Sequence, residues 1–227
     1  MDNRAEGLLD RIRRYAMPHG TVPCRGTWLR QVGEMRFAPN RPWFPFEAEQ
    51  WFDGDGIDFR WEARANMAPL LRATVTDAFQ GGRGLLAARL LGFLPVARSH
   101  GPATDRAEAM RGLAELPWRP LAFRASRWVT WSMTASGRLQ GTFNDRATRA
   151  SIEFEVGDDG RVLGCFAPGR PRLVGRKAVE TAWAGKLSDH VDFDQVRVPT
   201  SAEAAWILAE GPFTYWKAKV TDFKLLR

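Results

Sequence analysis

Asp77, Arg111 and Glu115 are the residues of this chain whose types and spacing could carry chemistry. Residues 70–79 alternate as a strand does, with Leu71, Ala73, Val75 and Phe79 on one face, and Asp77 falls in that same register. A carboxylate on an apolar face costs free energy unless a cation, a hydrogen-bond network or a raised pKa relieves it. The alternative is a bulge near Gly81 that shifts the register and leaves Asp77 in water. Arg111 and Glu115 stand four apart on an expected helix, the spacing of an ion pair. Such a pair is a solvated bridge worth little, a structural contact that pins the helix end or, held against a sheet, a means of neutralising Asp77 or gripping a ligand headgroup. Gly112 between them costs about 1 kcal/mol relative to Ala in a helix interior, which implies that another element comes close. Asp77 and Glu115 could also act as an acid–base pair oriented by Arg111, provided that both carboxyl groups open into one pocket and one has a displaced pKa.

A second group is aromatic. Trp131, Phe166, Trp183, Trp206 and Trp216 recur on expected strands, where they either line one cavity or fill the core. Trp118 follows Glu115 in the run Glu115-Leu116-Pro117-Trp118. Arg170, after Phe166-Ala167-Pro168-Gly169, is expected at a strand exit, where it meets a ligand carboxylate or phosphate or is simply a surface arginine. No nucleophile elbow, P-loop, zinc-helix or dinucleotide fingerprint is present. Gly81-Gly82-Arg83-Gly84 precedes a strand-like segment, so no helix N-terminus follows to hold a phosphate. Cys24 and Cys165 lack metal-ligand spacing, and His19, His100 and His190 lie far apart. The expectation is therefore no cofactor and no metal.

The elements that must position these residues are mostly strands. Residues 3–16 place Leu8, Leu9, Ile12 and Tyr15 on one helical face, ended by Pro18. Strands are expected at 27–37, 43–52 and 57–67; in the last, Ile57, Phe59, Trp61, Ala63, Ala65 and Met67 alternate with polar residues after the turn Asp53-Gly54-Asp55-Gly56. After 70–79, residues 85–97 form a strand or a pair of short ones. A central helix is expected over 105–116, with Asp105 and Glu108 at capping-box spacing, Glu108, Arg111 and Glu115 as a charged stripe, and Pro117 as its stop. Residues 128–225 read as β again, with hairpin turn Gly157-Asp158-Asp159-Gly160 and late strands at 179–186, 191–198, 204–210 and 213–225. The sum is a single mainly β (α+β) domain spanning 1–227, with first strands over 27–97. Roughly eleven antiparallel strands must curl into a large curved sheet or incomplete β-barrel, with both helices packed on or across it.

Composition narrows the partners. Ten Trp and fourteen Phe against two Tyr favour buried aromatic surface. The net charge of +7 comes from arginines scattered along the chain, with lysine only at 177, 186, 217, 219 and 224. Without a basic block or basic amphipathic helix, this argues against nucleic acid. No run of eighteen apolar residues exists, so no transmembrane segment is expected. The charged start of the chain does not read as a secretory signal, and the expected compartment is the cytoplasm. Nothing in the sequence sets an oligomeric state.

The run Arg111-x-x-x-Glu115-Leu116-Pro117-Trp118-x-Pro120 resembles a motif of a bacterial family of unknown function. So do Asp77 before Gly81–Gly84, Arg170 after a hairpin, Trp183, and the closing Pro199, Trp206, Tyr215 and Trp216. That family implies no activity. The architecture is also similar to the lipoprotein-carrier (LolA-like) fold of bacterial envelopes, which implies a curved, incomplete barrel lidded by helices over a hydrophobic cavity for acyl chains. The leading expectation is a binding protein for an apolar or amphipathic small molecule, with Asp77, Arg111, Glu115 or Arg170 near its polar end and Trp118, Trp131, Trp183 and Trp206 around it. An enzyme built on Asp77 and Glu115, or a structural interaction module, stands as the alternative.

Overall fold

Alternation of apolar and polar residues builds the first half of the protein, seen in a computed structural model that describes residues 3–227 except 22, 55, 69, 70, 125, 127, 146, 176 and 194. After helix α1 (Asn3–Ala16), six strands follow: β1 (Gly26–Met35), β2 (Phe44–Asp53), β3 (Phe59–Ala68), β4 (Leu71–Gln80), β5 (Arg83–Leu90) and β6 (Leu94–Ser99). In β3 the strict alternation puts Phe59, Trp61, Ala63 and Ala65 inside and Arg60, Glu62 and Arg64 outside. β3 and β4 pair with Phe59 opposite Phe79 and Trp61 opposite Asp77, so the expected register holds. No bulge intervenes near Gly81: β4 and β5 run in register to Gln80 opposite Arg83. Gly81 and Gly82 close that hairpin at φ values of 57° and 81°, the left-handed pair that a tight hairpin turn requires.

Helix α2 (Pro102–Ala114) interrupts the strands, and β7 (Val129–Met133), β8 (Leu139–Asn144), β9 (Arg149–Val156), β10 (Val162–Val174), β11 (Lys177–Phe193), β12 (Val196–Leu208) and β13 (Gly211–Leu226) complete the chain. All thirteen strands form one antiparallel sheet in the order β6-β5-β4-β3-β2-β1-β13-β12-β11-β10-β9-β8-β7. The late strands differ from expectation. Segment 191–198 straddles the hairpin between β11 and β12, because β11 continues through Ser188 and His190. Asp189, at φ 53°, is absorbed as an irregularity within that strand, where its carbonyl and carboxylate accept from Thr200 and Ser201 at 2.5 and 2.6 Å.

β6 and β7 are unpaired with each other at the two ends of the strand order, so the sheet curls without closing. The curl brings the wings close: the Phe79 ring on β4 meets the Phe143 ring on β8 edge-on at 5.6 Å. α2 lies in the trough between them and touches β4 and β5 on one wing and β8, β9 and β10 on the other. It is consequently buried nearly all round, Ala107, Ala109, Met110 and Leu113 included. α1 covers the opposite end, placing Leu8, Leu9 and Ile12 against β7 and β12.

α2 begins three residues earlier than expected and ends at Ala114, followed by 3-10 turns at Leu116–Trp118 and Pro120–Ala122. The capping box is not used. Gly101 occupies the cap position without a side-chain bond, and Asp105 instead accepts the Gly84 backbone N–H at 2.7 Å, tying the helix to β5. Gly112 lies against the next element as its helix-interior position implies: a Cβ there would run into the backbone carbonyl of Ile57. Gly112→Ala is expected to destabilise the fold by about 1–3 kcal/mol through overpacking, although alanine is the better helix former. Urea denaturation checks this, and a neutral or stabilising outcome would contradict the close approach of α2 to the segment before β3.

Candidate functional site

Between α2 and the concave face of the sheet lies a cavity of about 690 Å³, walled by β1, β3–β6 and β10–β13 and floored by α2. Most of its wall is apolar or aromatic, and five of the ten tryptophans reach it: Trp61, Trp118, Trp183, Trp206 and Trp216. Its mouth is marked by side chains that line it while remaining more than half exposed, namely Phe37 (65%), Val96 (52%) and Leu173 (53%).

One cluster of charge interrupts this wall. Asp77, Trp61 and Gln50 form a row across β4, β3 and β2, because each is the register partner of the next. α2 sets Arg111 above that row. Its guanidinium donates to Asp77 and, through Nε at 2.8 Å, to Glu115, while Gln50 Nε2 donates to the other Glu115 oxygen at 2.6 Å. The same guanidinium lies 4.9 Å from the Phe59 ring centroid and 5.1 Å from that of Trp61, faces that attract a cation. The pair with the spacing of a solvated surface bridge is therefore a buried triad, Asp77 being 7% and Glu115 9% exposed.

Arg170 differs from its expected place. It lies within β10, just past the register shift between Ala167 and Arg170 that accommodates Pro168 and Gly169, and is 7% exposed. The shift turns its side chain inward. Nε donates to the Ala107 carbonyl of α2 at 3.2 Å, and the guanidinium sits 5.1 Å from the Trp183 ring and 5.5 Å from the Trp206 ring. Its other neighbour is Glu108, 3.9 Å away. The sequence gives Glu108 as part of a charged stripe with Arg111 and Glu115. In the structure that stripe faces the cavity, and Glu108 is 5% exposed.

Of the aromatic candidates, Trp118, Trp183 and Trp206 line the cavity and Trp131 does not. Trp131 stacks on Phe123 at 5.5 Å, beside Phe154, and donates to the Arg124 carbonyl at 3.1 Å, so it belongs to the core beneath β7–β9. Phe166 is likewise absent from the lining. Trp118 has a double role: its indole N–H donates to the Pro199 carbonyl of β12 at 2.8 Å while its own backbone carbonyl accepts from Thr27 at 3.2 Å. The run from Arg111 to Pro120 is thus the strap that fixes α2 to the sheet. Arg119, 3% exposed, completes it by donating to the carbonyls of Asp53 and Gly56, and burial lowers its pKa to about 10. Gln31, Gln50 and Arg119 escaped the sequence reading, and Glu108 entered it only through the capping box and the charged stripe. The signal for the two glutamines was present, since each shares the dry register of its strand with Leu29 or Phe52.

Burial dominates the electrostatics. It raises Glu108 well above the ordinary carboxylate range, and the facing Asp77 charge pushes the same way, against the weaker pull of Arg170 and Arg111. Burial also raises Glu115, partly offset by Arg111. For Arg111, burial works against the charge, but Glu115, Asp77 and Glu108 together outweigh it and hold the guanidinium above its usual value. Among the described residues, three oxygens in the cluster have no hydrogen-bond partner apart from the proton that Glu108 shares with Asp77, namely Gln50 Oε1, Asp77 Oδ1 and Glu108 Oε2. With Glu108 protonated, Arg111 and Arg170 balance the carboxylates of Asp77 and Glu115.

A carboxyl raised by folding stabilises the protein fully below its unfolded value, and that contribution is lost as pH rises through the folded value. Glu108→Gln should therefore remove a fall in stability that the wild type shows from about pH 4.5 upward, with a slope of at most about 1.4 kcal/mol per pH unit. Urea melts of both proteins across that window check this, and parallel pH dependences would refute it.

Among the described residues, no helix is long and apolar enough to cross a membrane, and no group of three or more His, Cys, Asp or Glu is arranged to hold a metal. The sheet is similar to that of a LolA-superfamily protein from Nitrosomonas europaea, at 11% identity and a TM-score of 0.54, covering 98% of this chain and 94% of that one. A DUF1329 family protein from Desulfovibrio piger is similar at 9% identity and a TM-score of 0.47, over 97% and 91% of the respective chains. No curated protein matches the sequence. Residues 9–218, which hold the strap, the Asp77 row and Arg170, match the family of unknown function DUF6544, and the chain belongs to that family.

Proposed function

We propose that this protein binds an amphipathic small molecule, a lipid or a compound with an acyl-like chain, in the trough between α2 and the sheet. The observation that carries this reading is the cavity itself: about 690 Å³ of largely apolar, aromatic wall with one charged cluster. Sites for small molecules span roughly 300–1,000 Å³ and combine such walls with few polar groups. The apolar mouth formed by Phe37, Val96 and Leu173 supports it, because an alkyl chain reaching outward would cover side chains that otherwise face water. The likeness in fold to a LolA-superfamily protein agrees with the resemblance to the lipoprotein-carrier fold, which implies such an interior. Asp77, Arg111, Glu115, Arg170, Trp118, Trp183 and Trp206 are the proposed contacts.

An acid–base enzyme is the second reading, and one observation favours it: Asp77, Glu108 and Glu115 all open into the same cavity. Binding fits the surroundings better. Asp77 and Glu115 are both engaged by one guanidinium, which opposes proton transfer to either. The nearby nucleophiles are quiet, since burial pushes the Cys165 thiol up to about 12 and the Ser99 and Thr104 hydroxyls bond each other at 2.6 Å.

With half the tryptophans on the cavity wall, a single-chain amphiphile brominated along its alkyl chain should quench a large share of the intrinsic fluorescence saturably. Ala88→Trp, which puts an indole into the wall of β5, should weaken that binding at least about tenfold by occupying the volume. Unsaturable, linear quenching, or equal affinity in the filled variant, would refute an interior site.

A further inference from the structure

The polar groups of the cavity are unevenly satisfied, and the imbalance points to the headgroup. Arg111 already has Nε and one terminal nitrogen on carboxylates and lies over two aromatic rings. Arg170 is bonded to Ala107 and held beside the Trp183 and Trp206 rings. The oxygens Asp77 Oδ1 and Glu108 Oε2, by contrast, are buried without a further partner in residues that line the cavity. In the resting protein the donor that serves these two oxygens is the single proton that Glu108 shares with Asp77, and an N–H group could take its place.

Charge leads to the same conclusion. Three carboxyls, Asp77, Glu108 and Glu115, surround two guanidiniums. An anionic headgroup would add a fourth acid to two cations in a dry site, which is costly. With Glu108 protonated the cluster is already neutral, and a cationic donor that replaces this proton keeps it so while supplying charge-assisted bonds to both oxygens.

We propose that the inner end of the cavity is a site for a protonated amine carried by an apolar chain, with the N–H groups directed at Asp77 and Glu108 and the chain running to the mouth. This rests on the reading of the cavity as an amphiphile site and adds the chemical class of its polar end. Binding the ammonium expels the proton that Glu108 otherwise holds beside Asp77, with Arg111, Glu115 and Arg170 as the remaining charges facing it. The protein as a whole carries a formal charge of +7, so non-specific attraction favours anions and works against the preference.

Calorimetry on the full chain with dodecylamine, dodecanol, dodecanoate and dodecyltrimethylammonium, each below its aggregation concentration, tests this. The amine is expected to bind at least about tenfold more tightly than the alcohol or the carboxylate, as a charge-assisted bond does over a neutral one. The trimethylammonium probe, which has the charge but no N–H, should fall below the amine. Titrations in buffers of different ionisation enthalpy should show net proton release for the amine, and Glu108→Gln, which keeps shape and an acceptor, should abolish that release and most of the preference. Dodecanoate binding as tightly as the amine would overturn the proposal and leave the amphiphile cavity standing. Failure of all four probes would overturn both.

Discussion

The guanidinium of Arg111 is the point on which the concave side of this sheet depends. Asp77 arrives there because the β3–β4 register admits no other direction, and Glu115 arrives because the helix turns it to the same face as Arg111. Neither carboxylate could be buried alone without several kcal/mol of desolvation cost. The guanidinium meets both, and Gln50 meets the second oxygen of Glu115 from a neighbouring strand. Because those partners lie on α2, β4 and β2, satisfying the charges also fixes how high the helix rides over the sheet. Gly112, against the Ile57 carbonyl, sets the limit of approach at one point, and Trp118, bonded to Pro199, anchors the helix end at another. The volume left between these fixed points is the cavity.

Much of this was legible where the period-two signal is strict. In β3 the alternation is strict and its register with β4 holds, so the presence of Asp77 in a dry register could be read directly and proved to be a real burial. The curl of the sheet was legible from the number of long strands, and the strap from its helix-breaking prolines. The partner of Asp77 was harder to see, because a spacing of four residues on a helix says only that two side chains can meet, not which face they share with a sheet.

The rest was hidden for identifiable reasons. Glu108 belongs to a helix buried on nearly every side, and a charged stripe on such a helix has the same sequence pattern as one on a solvated helix. Arg170 turns inward only because the chain gains residues at Pro168 and Gly169 relative to β11, an irregularity fixed by pairing and not by local sequence. The expected gap between strands 179–186 and 191–198 is absent, because hydrogen bonds from β12 hold Asp189 within one long strand. Trp131 and Trp183 sit on strands of similar pattern. Only the curl of the sheet decides that one faces Phe123 in the core and the other faces the cavity.

The placement of the charges also bears on why they persist. A buried ion network is weak evidence for stability, since apolar residues of equal volume are often as good or better. This trough already has an abundant supply of aromatic and aliphatic surface that could have met α2 with no polar atoms at all. The charged cluster instead lies on the cavity wall, leaves acceptor oxygens incompletely satisfied and holds Glu108 well above the ordinary carboxylate range beside Asp77. A cluster that is incompletely satisfied and borders this interior cavity fits the proposed recognition site better than a part of the core.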